Sequence, residues 1–194
     1  MTKSNQEKKI IYWLDKDMRI TAVSGPWDEF AIENNGRNVV EPDVKGRPIW
    51  HFIKGNTTRM WVDTLIKLAM VTGKVVERPY RCDSPEMKRY MSMKIVPEES
   101  GAFRMEHTVL FTEKRSHNVH FNYSENQTLQ LKQRCSSCGR LRTQDSWEEA
   151  EYLSPPGEGT LEKTYTVIYT MCPDCLENIS KRRFYGQAAD KADI

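Results

Sequence analysis

The sequence predicts an α+β fold in two parts: a five-stranded antiparallel sheet with helices on one face, then a small β-rich module organised around paired cysteines. Three observations predict it. Strand-like segments bracket a set of helix signals over the first 110 or so residues. One segment, 57–72, carries an apolar stripe at helical spacing. Four of the five cysteines form two CxxC pairs in the last 60 residues.

The elements follow in chain order. Ile10 to Leu14 and Arg19 to Val23 are short strands around the polar break Asp15-Lys16-Asp17, which reads as a hairpin. Ser24-Gly25-Pro26 starts a short helix with Trp27, Phe30 and Ala31 on one face, and Asn34-Asn35-Gly36 ends it. Turn formers follow from Glu41 to Pro48. The patch Ile49 to Ile53 is too short to classify. In Thr57 to Thr72, residues Trp61, Leu65, Leu68, Ala69 and Thr72 share a face, with Asn56 or Thr57 as cap and Gly73 as terminator. Strands are then expected over 74–82, 88–96 and 102–112. Met91, Met93 and Ile95 alternate on one face of the second of these, and Phe103, Met105, Val109 and Phe111 on one face of the third, with Glu98 to Gly101 as the turn between them.

This order, together with Val44-Lys45-Gly46-Arg47-Pro48-Ile49-Trp50, resembles the PAS domain family over about residues 8–115. The resemblance implies a pocket between sheet and helices that senses a small molecule or holds haem or flavin. The family's flavin-adduct cysteine has no counterpart in Gly55-Asn56-Thr57-Thr58-Arg59. Its helix-borne haem histidine has none in 57–72, so no haem or flavin marker is found. The ligand-pocket candidates are His51, Cys82, Met93 and His107. His107 shares the register of Phe103 and Met105. Arg81 and Arg89 near Cys82 suggest a lowered thiol pKa, although most free cysteines behave as small hydrophobes. Arg81, Asp83 and Arg89 also read as a solvated salt-bridged corner.

Residues 116–134 are polar and read as a linker or exposed helix, dividing a domain over 1–115 from a module over 135–180 and a tail over 181–194. In the module, Cys135-Ser-Ser-Cys138 and Cys172-Pro-Asp-Cys175 stand 33 residues apart. Two tight turns that each aim two sulfurs at one point can close a tetrahedral site, and four thiolates leave no position for water, so the site reads as structural. Zinc is the favoured ion. The segments also resemble the knuckles of rubredoxin, which hold iron, and a redox dithiol is the remaining alternative. Thr164 to Thr170 is a strong strand leading into the second pair. Trp147, Tyr152 and Leu153 are candidate core, and Pro155 to Gly159 a turn. So small a module cannot bury enough apolar surface alone, and a metal is the usual supplement.

The 29 basic and 27 acidic residues and 38% hydrophobic content fit soluble domains with real cores and exclude disorder, collagen and coiled coil as the main description. No apolar run is long enough to span a bilayer and no signal segment is seen, so a cytoplasmic protein is expected. No Ser/His/Asp set, phosphate loop or spaced carboxylate pair supports catalysis. The expected function is a non-catalytic signalling or regulatory protein that acts through a protein partner or homodimer, with a zinc-ribbon-like module as interaction platform. Two alternatives stand beside it. The first is nucleic-acid binding through Lys132, Arg134, Arg140, Arg142 and Lys181-Arg182-Arg183, although residues 116–194 hold nine basic against eleven acidic residues. The second is electron transfer at a rubredoxin-like iron site.

Overall fold

A computed structural model describes residues 9–33, 39–126, 130–153 and 162–181. The first sheet has the strands β1 (Lys9–Leu14), β2 (Ile20–Ser24), β3 (Val76–Arg81), β4 (Met87–Pro97) and β5 (Phe103–Lys114). Their order is β2-β1-β5-β4-β3, antiparallel throughout. Between β2 and β3 run α1 (Trp27–Glu33), α2 (Glu41–Val44), a 3-10 turn (Ile49–His51) and α3 (Asn56–Thr72). This is the PAS-like architecture that the sequence predicts. The turns expected at 34–36 and 155–159 lie outside the described residues.

Alternation decides which side of this sheet is core. Tyr12 and Leu14 of β1, Met93 and Ile95 of β4, and Phe103 and Met105 of β5 are cross-strand neighbours, and all are buried against Trp61, Val62, Leu65, Ile66 and Ala69 of α3. The α3 stripe is therefore wider than the sequence pattern suggests, because Val62 and Ile66 turn inward too. No side chain caps the helix. Gly55 takes the N-cap position at φ 83°, and Gly73 ends the helix at φ 62° as expected. The alternation of β5 breaks near its end. A one-residue irregularity pairs Tyr90 with Phe111 but Met91 with Val109, so Phe111 is turned to the outer face, 56% exposed and stacked on Tyr90 at 4.1 Å.

The expected linker is the main correction. Within residues 116–134 lie β6 (Asn118–Tyr123) and the start of β7 (Lys132–Cys135). With β8 (Leu141–Arg142), β9 (Trp147–Glu148) and β10 (Glu162–Thr170) they form a second sheet in the order β6-β10-β7-β8-β9. β10 lies parallel to both of its neighbours. The sheet closes over a small core of Val119, Leu141, Ala150 and Val167, with Leu153 packed on it, whereas Tyr152 faces solvent. The chain then enters α4 (Pro173–Lys181), so the module is mixed rather than purely β.

The two units are not separated. Met171 and Ile179 pack on the core of the first unit. Thr58 and Ser136 hydrogen-bond at 2.9 Å across the junction. Tyr169 lies so near Gly55 that a Cβ there would stand 2.9 Å from its ring. Polar residues 116–134 form strands because β10, rich in β-branched and aromatic residues, offers backbone partners on both edges.

Candidate metal centre and ligand cavity

Parallel pairing brings the two cysteine pairs together. Thr170 at the end of β10 sits beside Cys135 at the end of β7, so both strands deliver their cysteines at the same edge. The first pair lies on a hairpin closed by Cys135 N–H to the Arg140 carbonyl (2.8 Å) and Gly139 N–H to the Cys135 carbonyl (3.0 Å), with Gly139 at φ 74°. The second pair differs from a ribbon knuckle. Cys172 precedes α4 and Cys175 lies in its first turn, where Pro173 fixes the opening geometry.

All four sulfurs lie within 4.8 Å of one another, and those of Cys138 and Cys172 are 3.8 Å apart. A tetrahedron with zinc–sulfur bonds of about 2.3 Å has edges of about 3.8 Å, so the cluster fits a metal ion. None of the four is in a disulfide. Cys135 and Cys172 are buried, and the Cys172 N–H donates to the Cys135 sulfur at 3.4 Å. The thiols of Cys135, Cys138 and Cys175 hydrogen-bond among themselves. S–H donation from Cys138 and Cys175 holds Cys135 well below its ordinary pKa. The Cys135 sulfur in turn pushes Cys138 up to about 12 and Cys175 far up. A bound dication acts in the opposite direction, favouring the thiolate form of its cysteine ligands.

Beside this centre is a buried ionic hub missed in the sequence, where Arg81 and Asp83 read as solvated surface. The Asp83 carboxylate is 1% exposed. It accepts from Arg81 Nε and Nη2 (3.0 and 2.7 Å), Arg115 Nη2 (2.7 Å) and Arg134 Nη2 (2.9 Å). Glu149 and Glu151 complete the balance, accepting from Arg81 and Arg115, each at 2.6 Å. Arg134 also stacks on Phe121 at 3.8 Å. The Arg89 backbone N–H also donates to the Asp83 carboxylate at 3.3 Å, while its side chain donates to the Cys82 carbonyl at 2.8 Å. The hub joins the turn after β3 to β7 and to the 3-10 turn Ala150–Leu153.

The first unit encloses a cavity of about 390 Å³ between its sheet and α1 and α2, lined by residues that include Tyr12, Trp27, Phe30, Tyr80, Cys82 and His107. A second, of about 400 Å³, shares Tyr12, Tyr80, Cys82 and His107 and reaches Met93, Asp83, Cys135 and Ser136. Three of the four pocket candidates, Cys82, Met93 and His107, therefore line one cavity or both. His51 does not: the 3-10 turn points it to solvent. Burial pushes the Cys82 thiol up, against the lowering expected from its arginine neighbours, because desolvation outweighs them. His107 borders the cavity, yet protein surrounds it, and burial lowers its pKa to about 4. Its Nδ1 lies 2.7 Å from the Tyr80 hydroxyl and its Nε2 lies 3.3 Å from that of Tyr12. Both phenols are pushed up by burial. The tyrosines went unnoticed in the sequence. Their even spacing from the core residues Leu14, in β1, and Val76, in β3, is the one signal that places them inward.

No protein-family model matches the sequence, and no curated protein does. Two solved structures are similar to parts of it. One is a domain of an HTR-like protein from Haloarcula marismortui, 16% identical, covering 54% of this chain and 99% of that one, with a TM-score of 0.40. The other is the PAS domain of the Cronobacter turicensis RpfR quorum-sensing receptor in complex with C12:0, 12% identical, covering 56% and 100%, with a TM-score of 0.42. Among the described residues no helix is long and apolar enough to cross a membrane.

Proposed function

We propose that this chain is a non-catalytic signalling module in which a small molecule held in the cavity of the first unit alters the surface of a zinc-stabilised second unit. One observation carries the reading. β3 places Tyr80 in the cavity wall, and the next residue, Arg81, donates its N–H to the Ser137 carbonyl in the first cysteine hairpin at 2.8 Å. A shift of that strand is felt directly at the metal centre. Output then passes by contact with a protein partner or a second copy of the chain.

Zinc is supported by the closed four-sulfur set, which suits an ion with no redox role. Two basic residues behind the nucleic-acid reading are engaged within the protein, Arg134 in the Asp83 hub and Arg140 with Asp174 at 3.5 Å. The test is a titration of the ¹⁵N-labelled chain with 2-acetylnaphthalene, an apolar probe that fits the cavity. The reading predicts amide shifts at cavity residues and also at Ser136, Ser137 and Gly139. Shifts confined to the first unit would contradict the relay, and no shifts at all would contradict the sensor.

A further inference from the structure

The cavity contains a hydrogen-bond chain with one proton too many. Building on the sensor reading above, we propose that its ligand is a neutral, mainly apolar molecule bearing one hydrogen-bond acceptor, a carbonyl or ether oxygen, that receives the Tyr12 hydroxyl proton.

A neutral imidazole has one N–H and one bare nitrogen, and each tyrosine has one O–H, so three protons serve two contacts. The 2.7 Å contact of Tyr80 with Nδ1 lies at the short limit of N–H donors and at the commonest length for O–H donors, so we assign Tyr80 as the donor there. Nε2 then carries the imidazole proton and donates it to the Tyr12 oxygen across the longer 3.3 Å contact. The Tyr12 O–H is left over, and no described residue accepts it. Tyr12 is only 8% exposed, so this donor is buried at the cavity wall. Leaving it unmade is costly, and a ligand acceptor recovers that cost. The Trp27 Nε1–H, also at the cavity, is already given to the Val39 carbonyl at 2.8 Å.

Charge narrows the class further. No described residue lining the first cavity is Lys, Arg, Asp or Glu; Lys54, Arg81, Asp83 and Arg134 line only the second, and there Arg81 and Arg134 are both paired with Asp83. Arg89 stacks over the Phe30 ring at 5.3 Å but does not itself line the cavity. A carboxylate or an ammonium would enter without a counter-charge, which a low-dielectric site disfavours strongly. The burial that keeps His107 and both phenols neutral acts in the same direction.

Calorimetric titration of the full chain at pH 7.5 with 2-acetylnaphthalene, 2-ethylnaphthalene and 2-naphthoate tests this. The acetyl probe is expected to bind about fivefold more tightly than the ethyl probe, and naphthoate more weakly than both. Tyr12→Phe removes the acetyl preference and leaves ethyl binding within about twofold, as expected for loss of one hydrogen bond. Independently of any variant, ¹⁵N spectra of the His107 ring should report the neutral Nε2–H tautomer. Equal acetyl and ethyl affinities, tightest binding of naphthoate, an acetyl preference that survives Tyr12→Phe, or the opposite tautomer would each overturn the proposal while leaving the sensor reading intact. Binding of none of the three probes would overturn both.

Discussion

Asp83 is the residue on which the junction depends, because one buried carboxylate answers three guanidinium groups. Removing it takes away the carboxylate that Arg134 faces and leaves Arg81 and Arg115 with only Glu149 and Glu151, in a largely buried site. Asp83→Ala is therefore expected to cost about 3–5 kcal/mol in denaturant unfolding. Asp63→Ala, which breaks the exposed pair with Lys67 on α3, should cost less than about 1 kcal/mol. Equal costs would mean that the hub is as solvated as the sequence suggested. His107 gives a pH signature. Its folded pKa of about 4 lies below its ordinary value of 6.5, so as pH falls through 6.5 the unfolded chain takes up the proton first. The stability His107 contributes is complete above pH 6.5 and drains away down to about 4, up to about 3 kcal/mol in all. His107→Asn should flatten that part of the stability profile, and an unchanged slope would show that the ring is hydrated.

At the scale of elements, how well each could be read from sequence tracks its period. The hairpin β1–β2, the helix α3 and the strands β4 and β5 announced themselves because one face is buried and the other is not. The bulge that turns Phe111 outward did not, since alternation alone carries no sign of an inserted residue. The second sheet was harder to read for a physical reason. β8 and β9 have two residues each, and β6 holds only Val119 fully buried, so neither period has room to appear. Parallel pairing with β10 comes from segments far apart in the chain. Gly55 tests how tightly the units meet. Gly55→Ala meets both a positive φ of 83° and the Tyr169 ring, whereas Gly101→Ala, at φ 76° with open space around it, meets only the backbone penalty. We expect about 1–2 kcal/mol for Gly101→Ala and a further 1–3 kcal/mol or so for Gly55→Ala. Equal losses in thermal unfolding would show that Tyr169 swings aside freely.

At the scale of the whole molecule, the first sheet ends at Lys114 and the second begins at Asn118, but no linker separates them and the two units pack on each other. The four cysteines were legible as one site because their spacing and chemistry are local signals. The contact between the units was not, because Asp83, Arg115 and Glu151 meet only once the fold is complete. A fragment over 1–115 keeps Arg81, Asp83 and Arg115 but loses Arg134, Glu149, Glu151, Met171 and Ile179. It should therefore give poorly dispersed amide spectra, and a well-dispersed spectrum would restore the two-domain view.

The account rests on the metal. The decisive measurement is elemental analysis of the full chain purified under reducing conditions, beside its absorption spectrum. The account predicts a colourless protein with one zinc per chain, lost in Cys138→Ser and Cys175→Ser. A chain that carries no metal while all four thiols titrate as free, or a coloured one that carries iron, would contradict it.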